Sequence, residues 1–248
     1  MADPRLLVAT LARLLEGCRT VAVGALSPIP GAAALLAREL AGGALHVTVL
    51  GSRKTNDFTD GGRELFDRAG QGRIDAFFLG GGEIDGQGNV NLVGTGGDYP
   101  AHDVRFPGTF GAAFMGFAVP RVILFREDHS RRVLVPRVAF ISVPGTSPPG
   151  VWRRGGTVAL VTGRCVFAFD RAKARFALAS VHPGETRASV RANTGFDYDE
   201  PNELPETPPP TDAMKTLLDG PVARVIAETY PRFAAAVLGT GASNRRVN

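Results

Sequence analysis

Cysteine is scarce: Cys18 and Cys165 are the only two in 248 residues, too few and too far apart for a disulfide framework. The four histidines, His46, His102, His129 and His182, form no HxxxH or Cys/His cluster, so no metal site is expected. Long apolar runs are missing too. Gly31 to Ala37 is broken at once by Arg38 and Glu39, well short of the ~18 residues a membrane helix needs, and no membrane association is expected. Asp3 and Arg5 lie inside an amphipathic pattern where a secretory signal would carry its apolar core, so the expected location is cytoplasmic. Lys and Arg outnumber Asp and Glu by 28 to 24, a net charge of +4 with pI ≈ 9.5. The basic residues cluster no further than isolated doublets such as Arg131-Arg132, Arg153-Arg154 and Arg245-Arg246, without interleaved aromatics, which argues against nucleic acid as a partner. A mild positive excess suits an anionic ligand such as a nucleotide or a thioester carrier, and suits plain surface solvation equally well.

What is present is an ordinary globular balance of 44% apolar and 21% charged residues. The 31 glycines and 18 prolines punctuate apolar runs, as in a fold with many tight connections. Leu7, Leu11, Leu14 and Leu15 predict a helix that stops near Gly17. Strands are predicted at 20–25, 45–50, 74–79 and 121–125, with helices at 31–40 and 61–69 between them. That alternation points to an α/β fold with an open, largely parallel sheet. The runs 157–162, 164–169 and 175–181 are joined by very short links and predict an added antiparallel meander. A short helix over 188–193 closed by Gly195, a Pro-rich linker or arm over 200–212, and C-terminal helices and a frayed tail over 213–248 complete the reading. The main α/β domain is thus expected to span 1–199.

Gly80-Gly81-Gly82-Glu83-Ile84-Asp85-Gly86-Gln87-Gly88-Asn89-Val90-Asn91 directly follows an apolar strand. Glycines there let backbone N–H groups face an anion, and the carboxyl end of a parallel strand is where open α/β sheets hold ligands. The run matches neither GxGxxG leading into an apolar helix nor GxxxxGK[ST]. A second loop, Gly94 to Asp98, precedes Arg105-Phe106-Pro107-Gly108-Thr109-Phe110-Gly111-Ala112. There Gly111 would open a small helix, its N–H available to a developing oxyanion or serving as an ordinary helix start. No Ser-His-Asp triad is supported, because neither Ser52 nor Ser130 sits on a GxSxG elbow.

These two loops, together with Ser142-x-Pro144-Gly145, Leu160-Val161-Thr162, Phe167-x-Phe169-Asp170, His182-Pro183-Gly184 and Asn193-Thr194-Gly195-Phe196-Asp197, resemble the small, or B, subunit of family I CoA-transferases of the glutaconate type. The likeness runs from about Thr20 to Asp199. It implies the open α/β fold and an A-like (alpha) partner subunit in a heterodimer or heterotetramer, with an active site between the two. It also implies acyl-CoA as substrate, coenzyme A as cosubstrate and no permanently bound cofactor. Such enzymes pass the acyl group and CoA through a glutamate of the B-type subunit, a covalent route with a carboxylate nucleophile. The likeness puts the oxyanion-hole glycine on Gly111 and substrate or CoA contacts on Gly80, Gly81, Gly82, Asn89, Asn91, Asp98, Arg105 and His129. Arg105 could pair a substrate carboxylate or bridge to Asp103 or Asp98. His129, within Asp128-His129-Ser130, is expected to be structural or to touch CoA.

The nucleophile departs from the family pattern. After the strand at 46–49, Leu50 occupies the position of the glutamate, and no Glu occurs between Glu39 and Glu64. A leucine cannot form a thioester. One explanation is a likeness to ring-opening hydrolases of the same family, whose base comes from the partner subunit. Another makes Glu83, where transferases carry glutamine, a catalytic acid. A third reading is a non-catalytic ligand-binding or regulatory subunit that kept the fold.

Overall fold

The structure, a computed structural model, describes residues 2–239; the frayed tail expected from Gly239 onward lies almost wholly outside them. The chain divides into two compact units, one of residues 62–207 together with Ala2, the other of 3–61 and 208 onward.

In the discontinuous unit, α1 (Pro4–Arg13) starts where Asp3 accepts a hydrogen bond from Arg5 N at 2.9 Å, with Pro4 in the first turn. Leu7, Leu11 and Leu15 are buried as their spacing predicts. The helix ends two residues before Leu15, and the chain turns through Gly17 at φ 77°. Strand β1 (Thr20–Val23) pairs in parallel with β2 (His46–Val49), and α2 (Pro28–Leu40) crosses between them. Leu35 and Leu36 of α2 are fully buried, and α1 packs on the same helix.

The continuous unit begins with α3 (Gly61–Gly70) and β3 (Ala76–Leu79). Two hairpins of two-residue strands follow, β4 (Glu83–Ile84) with β5 (Val90–Asn91) and β6 (Gly94–Thr95) with β7 (Val104–Arg105). Then come α4 (Ala112–Ala118) and β8 (Arg121–Arg126), the latter parallel to β3. Strand β9 (Thr157–Thr162) lies parallel to β8, whereas β10 (Cys165–Asp170) and β11 (Arg175–Val181) run antiparallel in turn. The expected α/β class, a parallel strand core carrying an antiparallel meander, is what the structure shows. Phe167 and Phe176 are fully buried at its heart, in ring contact with each other and with Phe169, Phe196 and Tyr198.

Helix α5 (Arg187–Asn193) is closed at its start by a capping box between Thr186 and Ser189. Segment 199–207 then returns along the meander: Asp199 bridges Ala177, Glu206 bridges Val181, and Thr207 Oγ1 meets His182 Nδ1 at 2.9 Å. The remaining elements belong to the discontinuous unit: α6 (Asp212–Leu217), a kinked π turn at 218–222, α7 (Ala223–Thr229) and α8 (Pro231–Val237). Within the C-terminal helices expected over 213–248, the chain is divided at Tyr230, because Pro231 drives the residue before it out of the helical region, to φ −129°. Among the described residues no helix is long and apolar enough to cross a membrane.

Candidate active site

Strand β3 runs out into Gly80, Gly81 and Gly82, and the β4–β5 hairpin turns the chain back. The hairpin is tied by side chains. Asp85 Oδ1 accepts from Gln87 N at 3.0 Å and Asn89 N at 3.1 Å, forming the turn, while its Oδ2 takes Asn89 Nδ2 at 3.1 Å. Asn89 Oδ1 accepts from Gly145 N at 3.0 Å. Glu83 Oε2 accepts from Asn91 Nδ2 and from Ala139 N, both at 2.8 Å. Asn91 also donates to Gly94 O at 2.8 Å and accepts from Val93 N at 2.9 Å.

Glu83, Asp85, Asn89 and Asn91 are all buried. Such a group is tolerated in the interior only when its hydrogen bonds are made, and here they are made to the loops themselves. The network clamps the hairpin onto segment 133–145, where Ile84 N donates to Val133 O at 2.8 Å and Val90 N to Val143 O at 2.9 Å. The functional groups of Glu83, Asn89 and Asn91 are thus directed into the fold. Gly81 and Gly82 serve packing as well, since a Cβ would run into Val90 at the first and the Phe106 ring at the second. Gly80 alone of the three is exposed.

Gly111 caps α4 with φ −94°, and a Cβ there would strike the ring of Phe66 on α3. Its neighbour Phe110 is held at φ 46° and is 91% exposed. At the other end of α4, Arg153 Nη2 donates to Gly116 O at 2.7 Å and Nε to Gly155 O at 2.9 Å, securing the last turn. Asp98 and Arg105 are exposed, and among the described residues the Arg105 guanidinium pairs with neither Asp98 nor Asp103.

His129 is buried at 6% exposure, Nδ1 2.8 Å from Thr162 Oγ1 and Nε2 3.0 Å from Thr194 Oγ1. Thr194 gives its own proton to Val190 O at 2.8 Å, which assigns the imidazole proton to Nε2 and leaves Nδ1 as acceptor. Burial, with the Arg164 charge adding to it, pushes the His129 pKa down to about 4. The expectation that His129 touches CoA therefore meets a ring with both nitrogens already engaged. Burial likewise lifts the nearby Cys165 thiol to about 12, far from a reactive thiolate. His129 itself, with Glu127, Asp128, Gly163, Arg164 and Glu185, lines a surface pocket of about 400 Å³.

In the discontinuous unit the chain leaves β2 through Leu50, whose N–H donates to Val23 O at 2.9 Å, and turns at Gly51 with φ 87°. Ser52 is 5% exposed, and its hydroxyl donates to Glu228 Oε2 at 2.8 Å. Sequence reasoning passed over Glu228, which lies 176 residues from Ser52 on the C-terminal α7; no local motif marks it.

A model of the coenzyme A transferase family matches residues 2–193, and the chain belongs to that family. It is 34% identical over 163 residues to the B subunit of the 3-oxoadipate CoA-transferase of Pseudomonas knackmussii, covering 63% of this chain and 62% of that one. It is 33% identical over 129 residues to the B subunit of the glutaconate CoA-transferase of Acidaminococcus fermentans, covering 49% of this chain and 47% of that one. The matched stretches thus span less than two thirds of either relative. Among solved structures, that of the decarboxylase AibA/AibB has the same fold, with a TM-score of 0.75 at 24% identity over 95% of this chain and 98% of that one.

Proposed function

We propose that this chain is the B-like subunit of a two-subunit cytoplasmic enzyme that moves CoA from an acyl-CoA thioester to a carboxylic acid. The observation that carries the reading is the family match over residues 2–193 together with the likeness to the B subunits of two transferases. An A-like subunit completes the enzyme as a heterodimer or heterotetramer, and CoA is a substrate with no resident cofactor.

In this reading the N–H of Gly111 faces the oxyanion that forms as the thioester carbonyl is attacked, a contribution of about 3 kcal/mol for one preorganised donor. The exposed Gly80 backbone and Asp98 border the acyl group, and the unpaired Arg105 grips a substrate carboxylate. Glu83, Asn89 and Asn91 act as struts that hold the glycine loop, because their polar atoms already bond to the loop backbone and to one another. His129 keeps the junction of β9 and α5 in place.

Leu50 stands where the family resemblance puts the nucleophile, and that residue favours one second reading: hydrolysis of a ring carried on CoA, with the base coming from the partner subunit. The deciding experiment purifies the full chain with whatever co-elutes from its native host. The complex is then given 3-oxoadipyl-CoA or glutaconyl-CoA with a labelled acceptor acid and, in a separate reaction, a CoA thioester whose acyl group carries a cyclic ketone. Label appearing in a new acyl-CoA supports transfer, and loss of a substrate ring without transfer supports hydrolysis. A chain that elutes alone and turns over none of these thioesters refutes both.

A further inference from the structure

Helix α4 lies at the surface of the continuous unit and carries no charge. From Phe106 to Pro120 there is no Lys, Arg, Asp or Glu, yet Ala113 and Phe114 are exposed and Phe117, one turn on from them, is half-buried. A surface helix ordinarily turns polar side chains to water. The rings here are held in place: Phe114 meets Phe66 of α3 edge-on with centroids 6.0 Å apart, and Phe117 meets Trp152 at 5.9 Å. Trp152 is 71% exposed, and the next residue, Arg153, ties its segment to α4 through the bond to Gly116 O.

Phe110, just before the helix, is costly twice over. Its φ of 46° lies in the left-handed region, which glycine enters freely and a residue with a Cβ enters under strain. Its ring stands almost wholly in water. The turn that holds it is fixed on both sides, with Gly108 N donating to Leu92 O at 3.0 Å, Ala112 N to Thr109 O at 2.9 Å and Met115 N to Gly111 O at 3.0 Å. Strain of this kind persists where a side chain serves a ligand, and here it falls on the residue next to Gly111.

An exposed apolar face of this sort takes either a protein or an apolar small molecule. The exposed parts of Phe110, Phe114 and Trp152 come to roughly 450 Å², whereas a stable protein interface needs about 800 Å² from each partner. The face runs for about 10 Å along α4 and begins one residue from Gly111, which is the scale of a bound acyl group. We infer that it holds the acyl group of the CoA thioester, that the substrate class is an acyl-CoA with a large apolar acyl group, and that Phe110 is the residue that selects it. The inference rests on the reading above, in which the thioester carbonyl lies at the Gly111 N–H. From there the acyl group passes the Phe110 ring and lies along Phe114 toward Trp152, taking apolar surface on both sides out of water. The carboxylate that Arg105 grips is then that of the acceptor acid.

The test separates binding from turnover. The full chain, purified with its native partner, is compared with the same complex carrying Phe110→Gly, in which glycine takes the left-handed angle without strain, so the melting temperature should stay level or rise. S-decyl-CoA and S-ethyl-CoA, thioethers that cannot react, are titrated into each complex by calorimetry, and decanoyl-CoA and acetyl-CoA are assayed as CoA donors to a carboxylic acid. The wild-type complex should bind S-decyl-CoA at least about tenfold more tightly than S-ethyl-CoA, and Phe110→Gly should lose most of that preference. In turnover the change should fall on KM for decanoyl-CoA rather than on kcat. Trp152→Ser, at the far end of the face, should weaken S-decyl-CoA by about threefold or more and S-ethyl-CoA by less. Equal affinity of the wild-type complex for the two thioethers, or an undiminished preference in Phe110→Gly, overturns the assignment. So does separation of the two subunits of Phe110→Gly on gel filtration, which makes the face the seat of the partner. Selective binding of S-decyl-CoA by a wild-type complex that transfers no CoA leaves this assignment standing and overturns the transfer reading.

Discussion

Glu83 turns its carboxylate inward, and the two donors it meets, Asn91 Nδ2 and Ala139 N, need only an acceptor oxygen at that place. Glutamine supplies one with the same shape, so Glu83→Gln should change stability by less than about 1 kcal/mol and turnover by less than about tenfold. Glu83→Leu strands both donors and should cost about 1–3 kcal/mol for each. If Glu83 carried a proton in the reaction, the glutamine variant would instead lose about 100-fold or more, and a steady-state assay separates the two cases. His129 makes a prediction of the opposite kind, one that depends on pH. Its pKa is about 4 in the fold against the ordinary 6.5 of a solvated histidine, so between those values the unfolded chain binds the extra proton. Stability contributed by the neutral ring is complete above about pH 6.5, declines as the pH falls, and reaches its full loss, on the order of 3 kcal/mol, near pH 4. Urea midpoints measured from about pH 7 to pH 4 should fall along that course, and His129→Gln should flatten it. A wild-type midpoint that stays level through the window contradicts the buried neutral histidine.

At the scale of elements, two glycines on the site differ in what stands against them. A Cβ at Gly145 would lie within 3 Å of the Gly88 backbone and press on the Gln87 carbonyl, neither of which can rotate away. A Cβ at Gly111 would meet the Phe66 ring, a side chain with room to shift. Gly145→Ala should therefore destabilise by about 3 kcal/mol or more, and Gly111→Ala by about 1–3 kcal/mol, with the reverse order in thermal unfolding counting against this packing. The same contrast explains how far the sequence could be read. Strand β9 occupies the predicted residues 157–162, and α2, β8 and β11 lie where apolar periodicity puts them, because each buries a continuous face. Strands β4 to β7 are two residues each and carry no period to read; Asp85, Asn89 and Asn91 hold them through bonds that only the fold reveals. The glycine loop was legible as a tight connection at a strand end, yet the bonds of Glu83 to Ala139, of Asn89 to Gly145 and of His129 to Thr162 and Thr194 were not, since those partners lie 33 to 65 residues away. Glu228 stood furthest outside local reasoning.

Two stretches far apart in sequence, 3–61 and 208 onward, share one unit. Residues 3–61 build α1, β1, α2 and β2, but the face of α2 that they leave open is covered only when the chain returns after Thr207. Met214, Leu218, Val222, Ile226 and Leu238 are all buried in that return, and Arg13 of α1 donates to the carbonyls of Pro208 and Pro209, each at 2.7 Å. Five such side chains at about 1.5–3 kcal/mol each amount to roughly 10 kcal/mol, as much as the whole stability of an ordinary domain. A chain ending at Thr207 should therefore lose slow amide exchange throughout α1 and α2, as mass spectrometry after deuterium labelling would show. The loop carrying Ser52 loses its partner Glu228 at the same stroke, so on the proposed function the truncated chain should also fail to turn over acyl-CoA with the proposed A-like subunit. Protection of α2 that survived the deletion would mean that 3–61 closes its own core. The C-terminal helices would then serve the site alone, and the stability and activity of this unit could be varied separately.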